Sequence, residues 1–205
     1  MTADEIAALF TRSTGDYLCA RWGRDIAAAV FGVDDATLGI VKGALEAVVR
    51  LAGHRMAETD PEQGANLMVF FFRDWTELLQ VPDLDRLVEG LGPLIGRLQA
   101  EGANQYRHFR FEETGAIRAC ITLIKMDESL SEVPADTIAL SLAAQVILLW
   151  SDTAFLDRSV LARAGEAVIL RPDIAGVSRA AYDPALPPVA HDASHALRLA
   201  ARIAA

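Results

Sequence analysis

No stretch of this 205-residue chain reaches the roughly 18 consecutive apolar residues that a membrane-spanning helix needs. Basic charge is also short: 19 lysines and arginines stand against 28 acidic residues, a formal net charge of -9. Such a balance repels phosphate backbones and anionic membranes, which excludes nucleic acid as a partner. The opening MTADEIAALF is acidic and lacks the basic-then-apolar pattern of a signal peptide. The chain as given therefore reads as cytoplasmic, or as periplasmic or secreted if a leader has been trimmed. Only two cysteines are present, Cys19 and Cys120. They are too few for a disulfide framework, and they read equally well as one bridge or as two isolated buried thiols. There is no G-K-[ST] phosphate loop and no paired-cysteine metal signature.

What is present is an apolar fraction of 52% with 23% charged residues, enough for one domain with a substantial core. The pattern is α+β throughout, without repeats or a low-complexity linker. A first helix is expected over residues 3–11 and a short strand over 25–31. Leu38, Val41, Leu45, Val48 and Ala52 recur at helical spacing, so a long helix is expected over 36–52. Asp34 or Asp35 would cap it and Gly53 would close it. Residues 66–72, NLMVFFF, are too short and too uniformly apolar for a surface helix and predict a central strand. A helix over 84–99 should break at Gly92-Pro93. Residues 105–111 and 116–125 form a predicted hairpin around Glu112-Glu113-Thr114-Gly115, with Tyr106, His108 and Arg110 alternating with Arg107, Phe109 and Phe111. Thr137–Trp150, TIALSLAAQVILLW, predicts a central helix apolar around nearly its whole circumference. An irregular region, a helix over 172–182, a turn over 184–188 and a last helix complete the chain. The sheet-and-helix part would occupy 1–150 and a helical C-terminal part 151–205 of a single domain.

Three local motifs carry little chemistry. Gly90–Gly96 has no preceding strand and places a proline where amides would face a dinucleotide phosphate. Gly176–Ala180 resembles a nucleophile elbow but lies inside a helix. His191 and His195 stand four apart with Asp192 after the first, as in a zinc-binding H-E-x-x-H helix. Arg198 and Arg202 share the same predicted stripe, however, and no donor follows to complete a site. A solvated helix face is the expectation there.

The order strand, long helix, strand, hairpin, central helix and loose C-terminal part resembles a zincin of the metzincin type. More specifically, the chain is similar to a bacterial family of mostly secreted, zincin-like proteins of unknown function. The likeness lies in Glu5–Phe10, Arg21-Trp22, Ala65–Val69, Gln145–Leu149 followed by Asp152, and Arg171-Pro172-Asp173 leading to Ala181–Leu186. Asp173 matches the aspartate of that family's aspartate-then-tyrosine helix. With Leu149 as the residue after the motif's glycine, the metzincin pattern H-E-x-x-H-x-x-G-x-x-H places its three metal ligands on Ser141, Gln145 and Ser151. The general base falls on Leu142 and the glycine on Leu148. Hydroxyl and amide groups bind zinc poorly, and leucine accepts no proton. The resemblance thus implies the scaffold without metal, cofactor or peptidase chemistry.

Two readings of function follow. The first is a non-catalytic zincin-like domain that uses its cleft for binding, with a protein or peptide as ligand. The cleft would lie between the central helix and the strand Arg118–Lys125, with Gln145 and Asp152 at its edge. Those two residues equally suit a buried backbone partner and a turn cap. The second is a hydrolase or metal-binding protein whose site assembles residues distant in sequence, such as His108, Glu112, Glu113 and Asp127.

Overall fold

Four strands form the mixed sheet at the centre of the molecule, a computed structural model that describes residues 1–204. In spatial order they are β2 (Ala28–Phe31), β3 (Leu67–Phe72), β5 (Ile117–Lys125) and β4 (Gln105–Phe111). The first three run parallel, and β4 closes one edge antiparallel to β5, with Arg107 opposite Thr122 and Phe109 opposite Cys120. Helices α2 (Asp35–Leu51) and α6 (Ala135–Val146) cover one face. A 3₁₀ turn over Trp75–Gln80 with α3 (Leu84–Leu87) and α4 (Leu91–Ala100) covers the other. The class is α+β with a mixed sheet.

The uniform apolarity of β3 follows from its place between these layers. Leu67, Val69 and Phe71 enter the core beneath α2 and α6, while Phe70 and Phe72 enter the one beneath α4. A strand buried on both faces has no polar face to alternate with. Helix α2 is capped by Asp34, whose carboxylate accepts the Thr37 N–H at 2.7 Å, and Gly53 follows it at φ 78°. Its stripe of Val41, Leu45, Val48 and Val49 is buried against α6, with roughly 1.5–3 kcal/mol of hydrophobic stabilisation for each side chain of this kind.

Several elements differ from the sequence pattern, each for an identifiable reason. Helix α1 (Ala3–Ala8) stops before Thr11 because the following residues pair with a later segment: Thr11 bridges Tyr17, and the Phe10 carbonyl accepts the Leu18 N–H. It starts with a capping box between Thr2 and Glu5. The strand expected over 25–31 enters the ladder only at Ala28. The buried Asn66 amide occupies its earlier residues, donating to the Asp25 carbonyl at 2.8 Å and accepting the Ala27 N–H at 2.8 Å. The break expected at Gly92-Pro93 falls earlier, at Gly90 (φ 70°), and Pro93 sits in the first turn of α4. There its missing N–H has no intrahelical partner to lose.

The central helix shows the largest departure. It ends at Val146, four residues before Trp150, without a glycine. Three side-chain donors, two of them from distant segments, satisfy the carbonyls left open. Trp150 Nε1 donates to the Ala144 carbonyl at 2.9 Å, Trp22 Nε1 to Val146 at 2.8 Å, and the Tyr182 hydroxyl to Ile147 at 2.8 Å. After Ile147, still helical at φ -68° and ψ -27°, the chain leaves the helix: Leu148 bridges Arg21, and the Leu149 N–H donates to the Ala20 carbonyl. The pattern over 147–150 is apolar because it is core backbone, and helical periodicity cannot distinguish that from a fully buried helix.

After residue 150 the chain returns to the N-terminal segments. Strands β6 (Leu161–Ala164) and β7 (Ala167–Leu170) form a hairpin turning at Gly165, where the sequence suggested only irregular structure. Pro172 opens α7 (Pro172–Ala181). Strand β8 (Val189–Ala190) pairs with β1 (Cys19–Ala20), and α8 (His195–Ile203) packs on α1 and α7. Cys19 and Cys120 are both buried and free, and burial pushes each thiol up to about 12.

Asp173 fastens the irregular segment to α7. Its carboxylate accepts from Arg171 at 3.0 Å and from Arg158 at 2.7 Å. The Arg171 hydrogen bonds, the Ile174 N–H and the two guanidinium charges pull its pKa down to about 2. A depressed carboxylate stabilises the fold above the unfolded value near 3.9, and that contribution disappears as pH falls toward 2. Asp173→Asn is expected to cost about 1–2 kcal/mol at pH 7, allowing for partial solvent screening. Urea unfolding of wild type and variant should converge between pH 4 and pH 2. A constant difference down to pH 2 contradicts this assignment.

Candidate functional site

The end of α6 and the edge strand β4 enclose a cavity of about 500 Å³. Arg12, Gln105, Arg107, Gln145, Ser151 and Asp152 supply its polar lining. Phe109, Leu149, Trp150, Phe155 and Leu156 supply the apolar walls. The wall facing α6 is β4 and not the strand over 118–125. That strand, β5, lies one position further in, between β3 and β4. A predicted hairpin alone does not say which arm is the edge.

The positions singled out on the central helix are engaged with one another. Gln145 Nε2 donates to Ser141 Oγ at 2.9 Å, one helical turn away. Ser151 Oγ donates to the Thr11 carbonyl at 2.6 Å. Leu142 and Leu148 are buried in the core. Gln145 and Asp152 both line the cavity. Asp152 also acts locally, accepting from the Ser13 N–H at 3.0 Å and from the Ser13 hydroxyl. These bonds, led by the Ser13 hydroxyl, hold its pKa below the usual carboxylate value. They tie the loop after α1 to the end of the central segment.

Arg107 is a residue that the sequence pattern did not single out. Because β4 alternates, Gln105, Arg107 and Phe109 face the α6 side, while Tyr106 packs with the core beneath α4. The Arg107 Nη2 donates to Gln105 Oε1 at 2.7 Å, its Nε is sealed from solvent without an acceptor, and no carboxylate among the described residues pairs with it. Burial pulls its guanidinium down to about 10, which still leaves it charged at neutral pH. Arg12 at the rim likewise has no ion-pair partner among the described residues. The available signal was a cation at an inward position of a strand whose neighbours on that face are Gln105 and Phe109.

The other candidates lie apart. His191 precedes α8 and is exposed, whereas His195 begins the helix and is 5% exposed. The predicted polar stripe of His191, His195, Arg198 and Arg202 is thus incorrect. The buried face carries His195, Ala196 and Leu199, while Leu197 points to solvent. The Asp192 carboxylate accepts the Ser194 N–H at 2.8 Å and its carbonyl accepts the His195 N–H, a turn that delays the helix and separates the two imidazoles. His195 Nδ1 is hydrogen-bonded to the Tyr17 hydroxyl at 3.0 Å. Burial, with Arg198 and Arg202, lowers its pKa.

Glu112 pairs with Arg24 at 2.9 Å, beyond the far end of β4, and Asp127 caps α5 (Glu128–Ser131) beyond the opposite end of the hairpin. The nine residues of β5 alone separate these ends by roughly 30 Å. His108, Glu112, Glu113 and Asp127 therefore do not form one site. Among the described residues no group of three or more histidines, cysteines or acidic residues is placed to hold a metal ion. A further cavity beside Arg24 holds Asp60, Glu62 and Glu112, all in ion pairs with Arg24.

Fold and cleft together define an α+β protein with a mixed four-stranded sheet and a cavity that combines apolar walls with unpaired cations. No family model, curated protein or solved structure matches the chain.

Proposed function

We propose that the protein is a non-catalytic binding protein on a zincin-like scaffold, with the cleft between α6 and β4 as its ligand site. One observation carries this reading. The positions that would hold metal in a metzincin carry Ser141 and Gln145, hydrogen-bonded to each other, and Ser151, bound to the Thr11 carbonyl. Neutral oxygen and amide donors already engaged in this way do not fit zinc, and the base position is the buried Leu142. The concave surface persists beside them and sets five apolar side chains beside six polar ones, the mixture of apolar walls and placed polar groups from which ligand sites are built. A protein or peptide segment is the ligand class in view.

Elemental analysis of protein purified without chelator tests the absence of metal chemistry. The expected result is zinc well below one atom per chain, unchanged in His191→Ala and His195→Ala. Stoichiometric zinc that either substitution removes overturns the proposal.

A further inference from the structure

Arg107 poses an electrostatic problem that the protein alone does not solve. A half-buried guanidinium whose Nε is sealed from solvent, with no carboxylate partner, is costly, and folded proteins pair or hydrate such groups. Here one amide oxygen, that of Gln105, serves Nη2, and Nε has no acceptor. The side chain lines the same cavity as Arg12, which has no ion pair among the described residues. The only carboxylate on that lining, Asp152, is occupied by the N–H and hydroxyl of Ser13. Two cations thus face one engaged anion, in a chain whose net charge is -9. The cavity is locally opposite in sign to the molecule around it.

We propose that this cleft binds the carboxylate of an apolar-bodied molecule, with Arg107 as its main anchor and Arg12 as a second cation at the rim. The inference rests on the reading of the cleft as a binding site and adds the chemistry of what it binds. A planar guanidinium matches a carboxylate with two parallel hydrogen bonds. Phe109, Leu149, Trp150, Phe155 and Leu156 provide walls for an aliphatic or aromatic body, and Leu156 is 75% exposed. About 500 Å³ suits one amino-acid residue or a small acid. Two sources share this chemistry: the C-terminal residue of a peptide, and a free hydrophobic acid.

Three probes separate the outcomes: N-acetyl-L-phenylalanine, 3-phenylpropionate, and N-acetyl-L-phenylalanine amide, which lacks the charge. Binding is followed by chemical-shift titration of the Trp150 indole. The acids are expected to saturate that signal and the amide to bind at least about tenfold more weakly. Preference for the N-acetyl amino acid supports the peptide terminus, and preference for phenylpropionate supports the free acid. Arg107→Met should weaken the acids by the same factor while raising the thermal midpoint of the unliganded protein, because an unpaired, half-buried charge has been removed. Arg107→Lys should bind with intermediate strength.

Equal binding of acid and amide overturns the carboxylate inference but leaves a binding cleft. If no probe moves the Trp150 signal, the inference and the binding reading both fail. A lower midpoint for Arg107→Met makes the guanidinium a structural element and likewise overturns the inference.

Discussion

Trp22→Ala is expected to lower the unfolding free energy by about 3–5 kcal/mol from lost burial and cavity formation alone. Trp22 is 1% exposed and ranks among the largest fully buried side chains. Its removal also leaves the Val146 carbonyl at the end of α6 without the indole N–H that now reaches it at 2.8 Å. An unsatisfied buried acceptor adds about 1–3 kcal/mol. The sum approaches the whole stability of an ordinary domain, about 5–15 kcal/mol, so much of the variant should be unfolded at 37 °C. Trp22→Phe separates the two effects. It keeps most of the ring volume and loses the donor, so about 1–3 kcal/mol is expected. Equilibrium urea unfolding followed by far-ultraviolet circular dichroism measures both. A Trp22→Phe variant as stable as wild type means the carbonyl has found water and the helix end does not depend on the indole.

Gly32→Ala should be nearly as damaging, for a purely steric reason. Gly32 follows β2 at φ 81°, and a β-carbon there would lie 2.0 Å from the Phe71 carbonyl oxygen. Backbone on both sides must move, which disturbs the β2–β3 pairing that begins with Ala28 opposite Leu67. The left-handed conformation costs about 1–2 kcal/mol for a residue with a β-carbon, and the displaced ladder adds a comparable amount. Gly43→Ala is the control. It lies mid-α2 with nothing near its missing β-carbon, so it should gain about 0.5–1 kcal/mol. If the two alanine variants unfold at the same urea concentration, the close approach of Gly32 to Phe71 is not real.

Sequence pattern succeeded where one physical cause dominates. The stripe of Val41, Leu45 and Val48 has helical period and nothing else explains it, so α2 was legible nearly to the residue. The run Leu67–Phe72 was legible because few structures bury six apolar residues in a row on both sides. Failures came where a distant group overrides local preference. Nothing near Ile147 announces that Trp22, more than a hundred residues earlier, would replace the next helical hydrogen bond. The face of α8 was displaced because Tyr17 makes burial of His195 acceptable. Gln145 and Asp152, expected at a cleft edge, both line the cavity between α6 and β4. Arg107 was missed because arginine in a strand usually extends to water, and only the fold shows that it lines a cavity with the end of α6.

The three hydrogen-bond donors at the end of α6 come from residues 22, 150 and 182. One lies ahead of the sheet, one directly after the helix, and one close to the C-terminus. Neither the first 150 residues nor the remainder can complete that junction alone, and β1–β8 pairing together with α1–α8 packing binds the same two portions again. Long-range closure must therefore precede maturation of the helix end, which slows folding and couples both portions into one cooperative melting event. Cleavage in the stretch that links them would leave a central helix with open carbonyls rather than a smaller stable protein.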